Sequence, residues 1–365
     1  MPTFLWQDGR LPKPLWETLS ESSRPLLVYG MGNGADKLVD RLALLGREVA
    51  DYFASDGFVR GQSFRGKTVL TRSEAFRRYP DPTVLLAFAS NRPEVLDMLY
   101  ALDRECDLYL PDLPVSGDAF FDEDFYLTHR EEIVETAALL ADDRSREILD
   151  ATLRYKLSGR ISYLGKTGKG IWDMRELLHP ETYFRTLDGG AYSGDTAAAL
   201  LAAARSIREI VALEPDPKNL KRLLRYAETE PRVKPLWAAL LDRVGETELA
   251  VSGNRNATVG RGSFGARRET VPSVSVDSIG GRFDFIKLDV EGAERQALLG
   301  ARETIARYRP ELLVSAYHRS EDVFALPLLL RELTEEYDFY FRRNECLPAW
   351  ELHLLAVPRE KGSRL

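Results

Sequence analysis

The stretch 283–294, FDFIKLDVEGAE, decides how the chain folds. Phe283, Phe285, Ile286 and Leu288 form a short apolar run that reads as a buried strand. Two carboxylates, Asp289 and Glu291, follow around its end, and a helical pattern begins after Gly292. That order specifies one unit of an open α/β sheet, in which ligands bind outside the carboxyl ends of the strands. Lys287 sits inside the apolar run, where an unpaired charge is costly. Three ionisable residues at one strand end therefore mark a candidate site. A helix start that favours acids accounts for Asp289 and Glu291 equally well.

Upstream, the same alternation begins near residue 181. A strand over 183–187 ends at Asp188, the turn Gly189-Gly190-Ala191-Tyr192-Ser193-Gly194 follows, and a helix runs over 196–204. The next strand, 209–213, ends at Glu214, 26 residues after Asp188. Asp216-Pro217 is a helix start, with Asp as N-cap and Pro at the first helical position. Further strands are expected over 236–240, 285–288, 312–316, 338–341 and 351–357. Glycines between a strand and a helix let backbone approach a ligand, and the helix start offers free N–H groups. A carboxylate at the Glu214 position can accept two ribose hydroxyls, and an acid before the glycines suits a cationic ligand better than a pyrophosphate. A tight turn followed by a surface glutamate would look the same.

The first 115 residues carry a second, smaller alternation. Strands are expected over 25–29, 48–53, 83–88 and 106–110, with a helix over 36–45. Gly30, Gly32 and Ala35 match the dinucleotide fingerprint in its alanine form, with Asp51 or Asp56 as the downstream acid. A close helix–strand turn explains these glycines as well. Between the units, residues 116–180 read as charged helices over 131–140 and 144–157 and a Gly/Lys-rich turn over 165–170. The expected organisation is thus a Rossmann-like α/β domain over 1–115, a helical connector or cap over 116–180, and a second α/β domain over 181–365.

Composition narrows the classes. The chain has 365 residues, is 44% hydrophobic and has a net charge of −7. Its pI is about 5.4 and its mean hydropathy −0.28. That charge argues against a nucleic-acid binder, whose affinity comes from neutralising phosphates. The only cysteines, Cys106 and Cys346, form neither a metal-spaced cluster nor a disulfide framework, which fits a reducing compartment. The first sixteen residues lack a basic region followed by an apolar run, so no signal peptide is expected. Apolar stretches such as 197–203 are too short to cross a bilayer. A cytoplasmic protein without membrane partners is the expectation, and a homo-oligomer is compatible with it.

The segments LDGGAYSGDT, VALEPDPKNLKRL, FDFIKLDVEGAERQALLGA and PELLVSAYHRSEDVFALPLLL together resemble the FkbM-type S-adenosylmethionine-dependent methyltransferases over residues 183–358. The third and fourth segments carry the specificity. The first half resembles the nucleotide-binding-like domain that precedes the methyltransferase in a subset of these proteins. The resemblance implies a class I, Rossmann-like methyltransferase domain with a seven-stranded mixed sheet. It implies S-adenosyl-L-methionine as cofactor and a hydroxyl of a small molecule, sugar or nucleotide sugar as acceptor. Asp188, Gly190, Ala191 and Gly194 would cradle the methionine part, with Tyr192 and Asp195 in the same cofactor set. Glu214 would hold the ribose, Pro215 and Asp216 would lie beside the adenosine, and Ala238 and Ala239 would form the adenine pocket. Gly189 departs from the family, where many relatives carry an apolar residue.

Methyl transfer is an in-line displacement, so alignment supplies much of the rate. A hydroxyl acceptor must lose its proton, and Asp289 and His318 are the favoured candidates. Lys287 would pair with a carboxylate or stabilise an alkoxide. Glu291 would bind the acceptor, or a divalent metal with Asp289, although two carboxylates are too few to commit to a metal. Structural readings stand beside these. Ser320 looks like the N-cap of a helix starting at Glu321, and Lys287 with Glu291 like a buried ion pair. Arg342, Arg343 and Glu351 would line the acceptor pocket or pair across edge strands. His129, His179 and His353 read as ordinary core or surface residues. The segment 253–268, rich in glycine and arginine, reads as a variable lid over a polar or anionic acceptor. Two other functions remain open: an NAD(P)-dependent sugar-modifying enzyme using the Gly30 turn, and a non-catalytic binding or scaffold protein.

Overall fold

The computed structural model describes residues 11–165, 174, 176–251, 257–259 and 267–362. The first unit contains β1 (Leu26–Tyr29), β2 (Val49–Ala54), β3 (Ser63–Phe64), β4 (Lys67–Thr68), β5 (Leu70–Thr71), β6 (Thr83–Leu86) and β7 (Asp107–Tyr109). Five of these form a parallel sheet in the order β5-β2-β1-β6-β7, while β3 and β4 pair as a small hairpin. The runs LLVY and TVLL are buried at every position, as strands covered on both faces must be. The helix Asn33–Leu44 starts three residues earlier than the sequence suggests, directly after Gly32.

The second unit begins with β8 (Arg185–Gly189), β9 (Glu209–Leu213), β10 (Val233–Leu236), β11 (Ala239–Leu240), β12 (Gly245–Val251), β13 (Ala257–Val259) and β14 (Arg267–Val274). It continues through β15 (Phe285–Leu288), β16 (Glu311–Ser315), β17 (Tyr337–Arg343) and β18 (Leu352–Pro358). Seven of them form a mixed sheet in the order β10-β9-β8-β15-β16-β18-β17. Its pairings are parallel except at β16–β18 and β17–β18. The fold class is therefore the expected one, with 283–294 at the centre of the sheet. Order reverses between β8 and β15, and that switch point opens a crevice at the strands' carboxyl ends.

Two expectations change. The strand expected over 236–240 is split: Ala238 N turns back to Leu236 O at 3.1 Å, and Ala239–Leu240 pairs with β14 in another sheet. That sheet, in the order β11-β14-β12-β13, was not foreseen. Its strands bury few apolar side chains, Leu249 and Val271 among them, and expose charges such as Glu248 and Arg268, which pair at 3.0 Å. Part of the 253–268 segment expected to be a variable lid is thus strand, since β13 and the start of β14 fall within it. The rest of that segment, like the 165–170 turn beyond Gly165, lies outside the described residues.

The middle region packs on the second sheet. Helices Arg130–Leu139 and Asp143–Ser158 bring Ile133, Leu149 and Leu153 into one apolar cluster with Leu187, Ile286, Leu312 and Leu354. The opposite face is covered by helices Asp195–Ala203 and Pro217–Thr229 through Ala197, Leu200 and Leu223. Asp216 caps the latter helix as expected, accepting from Lys218 N at 2.8 Å and Asn219 N at 3.0 Å. Among the described residues no helix is long and apolar enough to cross a membrane.

Candidate active site

The switch point holds a cavity of roughly 410 Å³, within the range of small-molecule sites. Its floor is the end of β8. Gly190 N and Ala191 N both donate to Leu213 O, at 3.1 and 2.8 Å, which seals the turn onto β9. Gly190 has φ +78°, and a Cβ there would stand 1.8 Å from Asp289 O, so only glycine lets the two strand ends meet. At Gly189 a Cβ would come within 2.9 Å of the Leu240 side chain and 3.2 Å of Lys287 O, which explains the departure noted above.

One wall comes from β9. Glu214 accepts from Tyr192 N at 2.8 Å and from Asp216 N at 2.9 Å, so its carboxylate is fixed on the cavity surface. Burial pushes its pKa up to about 7, against the two backbone bonds that lower it. Gly190, Tyr192, Asp195, Pro215, Ala238 and Ala239 line the same end. Asp188, Ala191, Gly194 and Asp216 stand outside the lining.

The far wall is built on β15. Lys287 Nζ lies 3.2 Å from Asp188 Oδ1 and 3.8 Å from Asp289 Oδ2, and donates to Gly190 O at 3.0 Å. The expected ion pair with Glu291 is replaced by these partners, because Asp188 is Lys287's register neighbour on β8 and Glu291 lies beyond the end of β15, in a turn with positive φ. Burial works against the Lys287 charge, but Asp188 and Asp289 outweigh it and hold the pKa above the usual lysine value. Asp188 is itself pushed up to about 6 by burial, with Lys287 opposing.

His318 follows β16 and is 1% exposed. Its Nδ1 lies 2.9 Å from Glu294 Oε1, and its Nε2 lies 3.5 Å from Asp289 Oδ1 and 3.6 Å from Glu291 Oε2. Burial opposes a charge there, but Glu294 foremost, then Glu291 and Asp289, raise the pKa to about 10. These carboxylates favour the imidazolium form of His318 at neutral pH, which counts against its acting as the free base that the sequence reading considered. Asp289 is pulled below the usual carboxylate range: Lys287, His318 and His353 outweigh its burial. Glu291 is pushed up to about 7 by burial, with His318 opposing and Asp289 adding to the rise. Asp289, Glu294 and His318 place donor atoms within 4.8 Å of one another. Glu294, however, already accepts from Val290 N at 2.9 Å and Gly292 N at 3.3 Å, so the group reads as an ion-pair network that fixes the loop.

Several other candidates move. Ser320 donates to Ala119 O at 2.7 Å and does not cap its helix; Asp322 instead accepts from Arg319 N at 2.7 Å. Arg342 is buried against Asp142 at 2.7 Å, and Arg343 donates to Leu164 O at 2.7 Å, so neither lines the cavity. Glu351 does line it, and so do His353, which the sequence reading took for an ordinary core or surface residue, and Asn344, which it did not name. His353 belongs to a strand buried at all seven positions, and no local pattern separates it from a core residue. In the first unit, Asp51 accepts from Arg78 at 3.1 Å and Tyr79 at 3.0 Å, and Asp56 accepts from Arg72 N at 3.1 Å. Gly34 packs so closely that a Cβ would stand 2.8 Å from Ala87 O, as a helix–strand contact requires.

A mixed sheet reversed at its end, a glycine turn at the switch point and an acid at the next strand define a Rossmann-like methyltransferase architecture. Residues 188–342 match the family described as the methyltransferase FkbM domain. The crystal structure of a methyltransferase FkbM from Methylobacillus flagellatus KT is similar, with TM-score 0.70 and 20% identity, covering 95% of this chain and 94% of that one. That likeness shows a shared fold which extends through the N-terminal unit. A Streptococcus thermophilus rRNA methylase (9% identity, TM-score 0.33) is matched over 51% of this chain and 91% of its own. The SAH-bound Podospora anserina methyltransferase PaMTH1 (15% identity, TM-score 0.30) is matched over 73% and 96%. Scores that low bear no weight on the chemistry of this chain. No curated protein matches it.

Proposed function

We propose that the protein is an S-adenosylmethionine-dependent methyltransferase acting on a hydroxyl of a small molecule or sugar. Glu214 carries the reading. Its carboxylate stands at a strand end on the cavity wall, held by two backbone N–H groups, with lone pairs left for two ribose hydroxyls. Gly190 supports it, because backbone alone forms the cradle there. Pro215, Ala238 and Ala239 supply apolar contact for the adenine, and Gly190, Tyr192 and Asp195 border the methionine part. When bound, the cofactor supplies an electrophilic methyl group on a sulfonium.

The protein's own part is alignment and proton removal. Lys287 and His318 keep Asp289 ionised, so Asp289 is fit to orient the acceptor hydroxyl. Glu291 is the better matched base: its pKa near 7 suits neutral pH, and its Oε2 is buried without a hydrogen-bond partner. His318, held as a cation, offsets the charge of both carboxylates.

Calorimetric titration with S-adenosylmethionine and S-adenosylhomocysteine, beside NAD(H), tests the reading. Micromolar binding of the first pair, lost in Glu214→Ala, is expected. Binding of NAD(H) alone would move the function to the first unit.

A further inference from the structure

The cofactor reading leaves one part of the cavity wall unused: the turn between β17 and β18. Asn344 follows β17, Glu351 precedes β18 and His353 is the second residue of β18; all three line the cavity beside Asp289 and Glu291. They touch one another. Asn344 Nδ2 donates to Glu351 Oε2 at 3.3 Å and lies 3.5 Å from His353 Nε2, which is 3.4 Å from Glu351 Oε2. Two polar atoms here are buried without a hydrogen-bond partner, Asn344 Oδ1 and Glu291 Oε2, the latter 3.6 Å from His318 Nε2.

Backbone strain is concentrated at the same place. Among the described residues, the non-glycine positions with positive φ are Arg65, Tyr192, Glu291, Arg309 and Glu351. Tyr192, Glu291 and Glu351 all line this cavity. Such conformations persist where the surrounding structure over-determines them, and they cluster at ligand sites. The charge on the cavity surface leans negative as well, with the buried His318 behind Asp289 and Glu291 offsetting part of it. Asp289, Glu291 and Glu351 face the cavity, and among its described lining residues Lys287 is the only Lys or Arg. Lys287 is already committed to Asp188 and Gly190 O.

We propose that Asn344, Glu351 and His353 form the acceptor subsite, and that it selects acceptors bearing hydroxyl or amine groups around the reacting atom while rejecting those with a phosphate or carboxylate there. The proposal rests on the methyltransferase reading and adds the charge class of its acceptor. Carboxylates accept hydrogen bonds from hydroxyl and ammonium groups and repel an anion through Coulomb's law. Hydrogen bonding to His353 holds the Glu351 pKa below the usual glutamate value, so that carboxylate is ionised at neutral pH. The Asn344 amide carries an unpaired Oδ1, so a side-chain rotation toward the cavity it lines would present an acceptor to a further hydroxyl or amine.

The test uses the full chain saturated with S-adenosylhomocysteine. Methyl glucoside, glucosamine, glucose 6-phosphate and glucuronate are titrated at millimolar concentration with ligand-detected NMR. The first two are expected to bind, and the two anions to bind roughly tenfold more weakly or worse. Glu351→Gln should narrow that gap and Asn344→Ala should weaken the neutral sugars, with S-adenosylhomocysteine affinity and melting temperature close to those of the parent. Equal or tighter binding of the anions, a gap unchanged in Glu351→Gln, or no sugar binding at all would overturn the proposal. Failure to bind S-adenosylhomocysteine would remove the methyltransferase reading and this one together; a normal titration with the sugar preference reversed removes this one alone.

Discussion

Asp289 and Glu291 each stand within 3.6 Å of the His318 imidazole, and the environments of the three drive their proton affinities apart. Two consequences can be measured. If Glu291 takes the acceptor proton, turnover rises as pH passes through about 7 and falls near 10, where His318 loses its charge. Glu291→Gln should lose the acid limb and about 10²- to 10⁴-fold in kcat, with S-adenosylhomocysteine binding retained; normal turnover in that variant would sink the assignment. His318 also links stability to pH. Its folded pKa, about 10, lies above the ordinary 6.5, so the stability it contributes is fully present below 6.5 and is lost as pH rises towards 10. Urea unfolding of the parent and of His318→Gln should therefore converge over that window. Asp188 belongs to the same set from behind. It is fully buried against Lys287 and outside the cavity lining. Asp188→Ala should cost about 3–5 kcal/mol of stability, since it strands a buried charge; a loss of cofactor affinity with unchanged unfolding would contradict that placement.

At the scale of elements, the decisive contact joins the ends of β8 and β15. Gly190 at φ +78° lies against Asp289 O, and no side chain fits between them. Gly190→Ala should push the two strand ends apart and lower stability by more than the roughly 1 kcal/mol of a compatible glycine exchange. Thermal unfolding checks this, and an unchanged melting temperature would refute the contact. Such strand ends were legible in the sequence because each announces itself locally. The apolar runs of β8, β9 and β15 end at Gly189, Leu213 and Leu288, and the acids and glycines that follow fix the turns. Glu214 could be singled out for that reason. The β11-β14-β12-β13 sheet was not legible, since β12 and β14 expose charged residues and bury little. Asn344 and His353 were hidden for a different reason. They reach the cavity only because β18 inserts between β16 and β17, a long-range pairing that no local pattern encodes. The protonation of His318 was equally invisible, because its three carboxylate neighbours meet it only in the fold.

Across the whole molecule, the two sheets do not stand as separate bodies. Ser90 and Leu347 exchange backbone bonds at 2.8 and 2.9 Å, and Leu110 N donates to Gly159 O at 2.8 Å. Leu347, Ala349, Tyr155 and Ile161 lie in the same apolar cluster as Leu27, Val84 and Leu108 of the first sheet. Further along the connecting chain, Ser116 N donates to His318 O at 2.8 Å, so the link between units also braces the loop after β16; within the second unit Arg319 Nε donates to Gly292 O at 2.7 Å and ties that loop to the one after β15. Between these contacts Lys156 pairs with Asp112 at 2.7 Å, with side chains only 4% and 8% exposed. Separating the units would strand that pair and uncover the shared cluster. The full chain should therefore unfold in one transition whether followed by far-ultraviolet circular dichroism or by tryptophan fluorescence. S-adenosylhomocysteine, binding only the folded second unit, should move that transition as a whole. Asp112→Ala should lower it by about 3–5 kcal/mol for both units at once, as loss of one partner from a buried pair does. Two transitions, only one responding to S-adenosylhomocysteine, would mean that the first sheet is stable without the second and that the shared cluster contributes little to either.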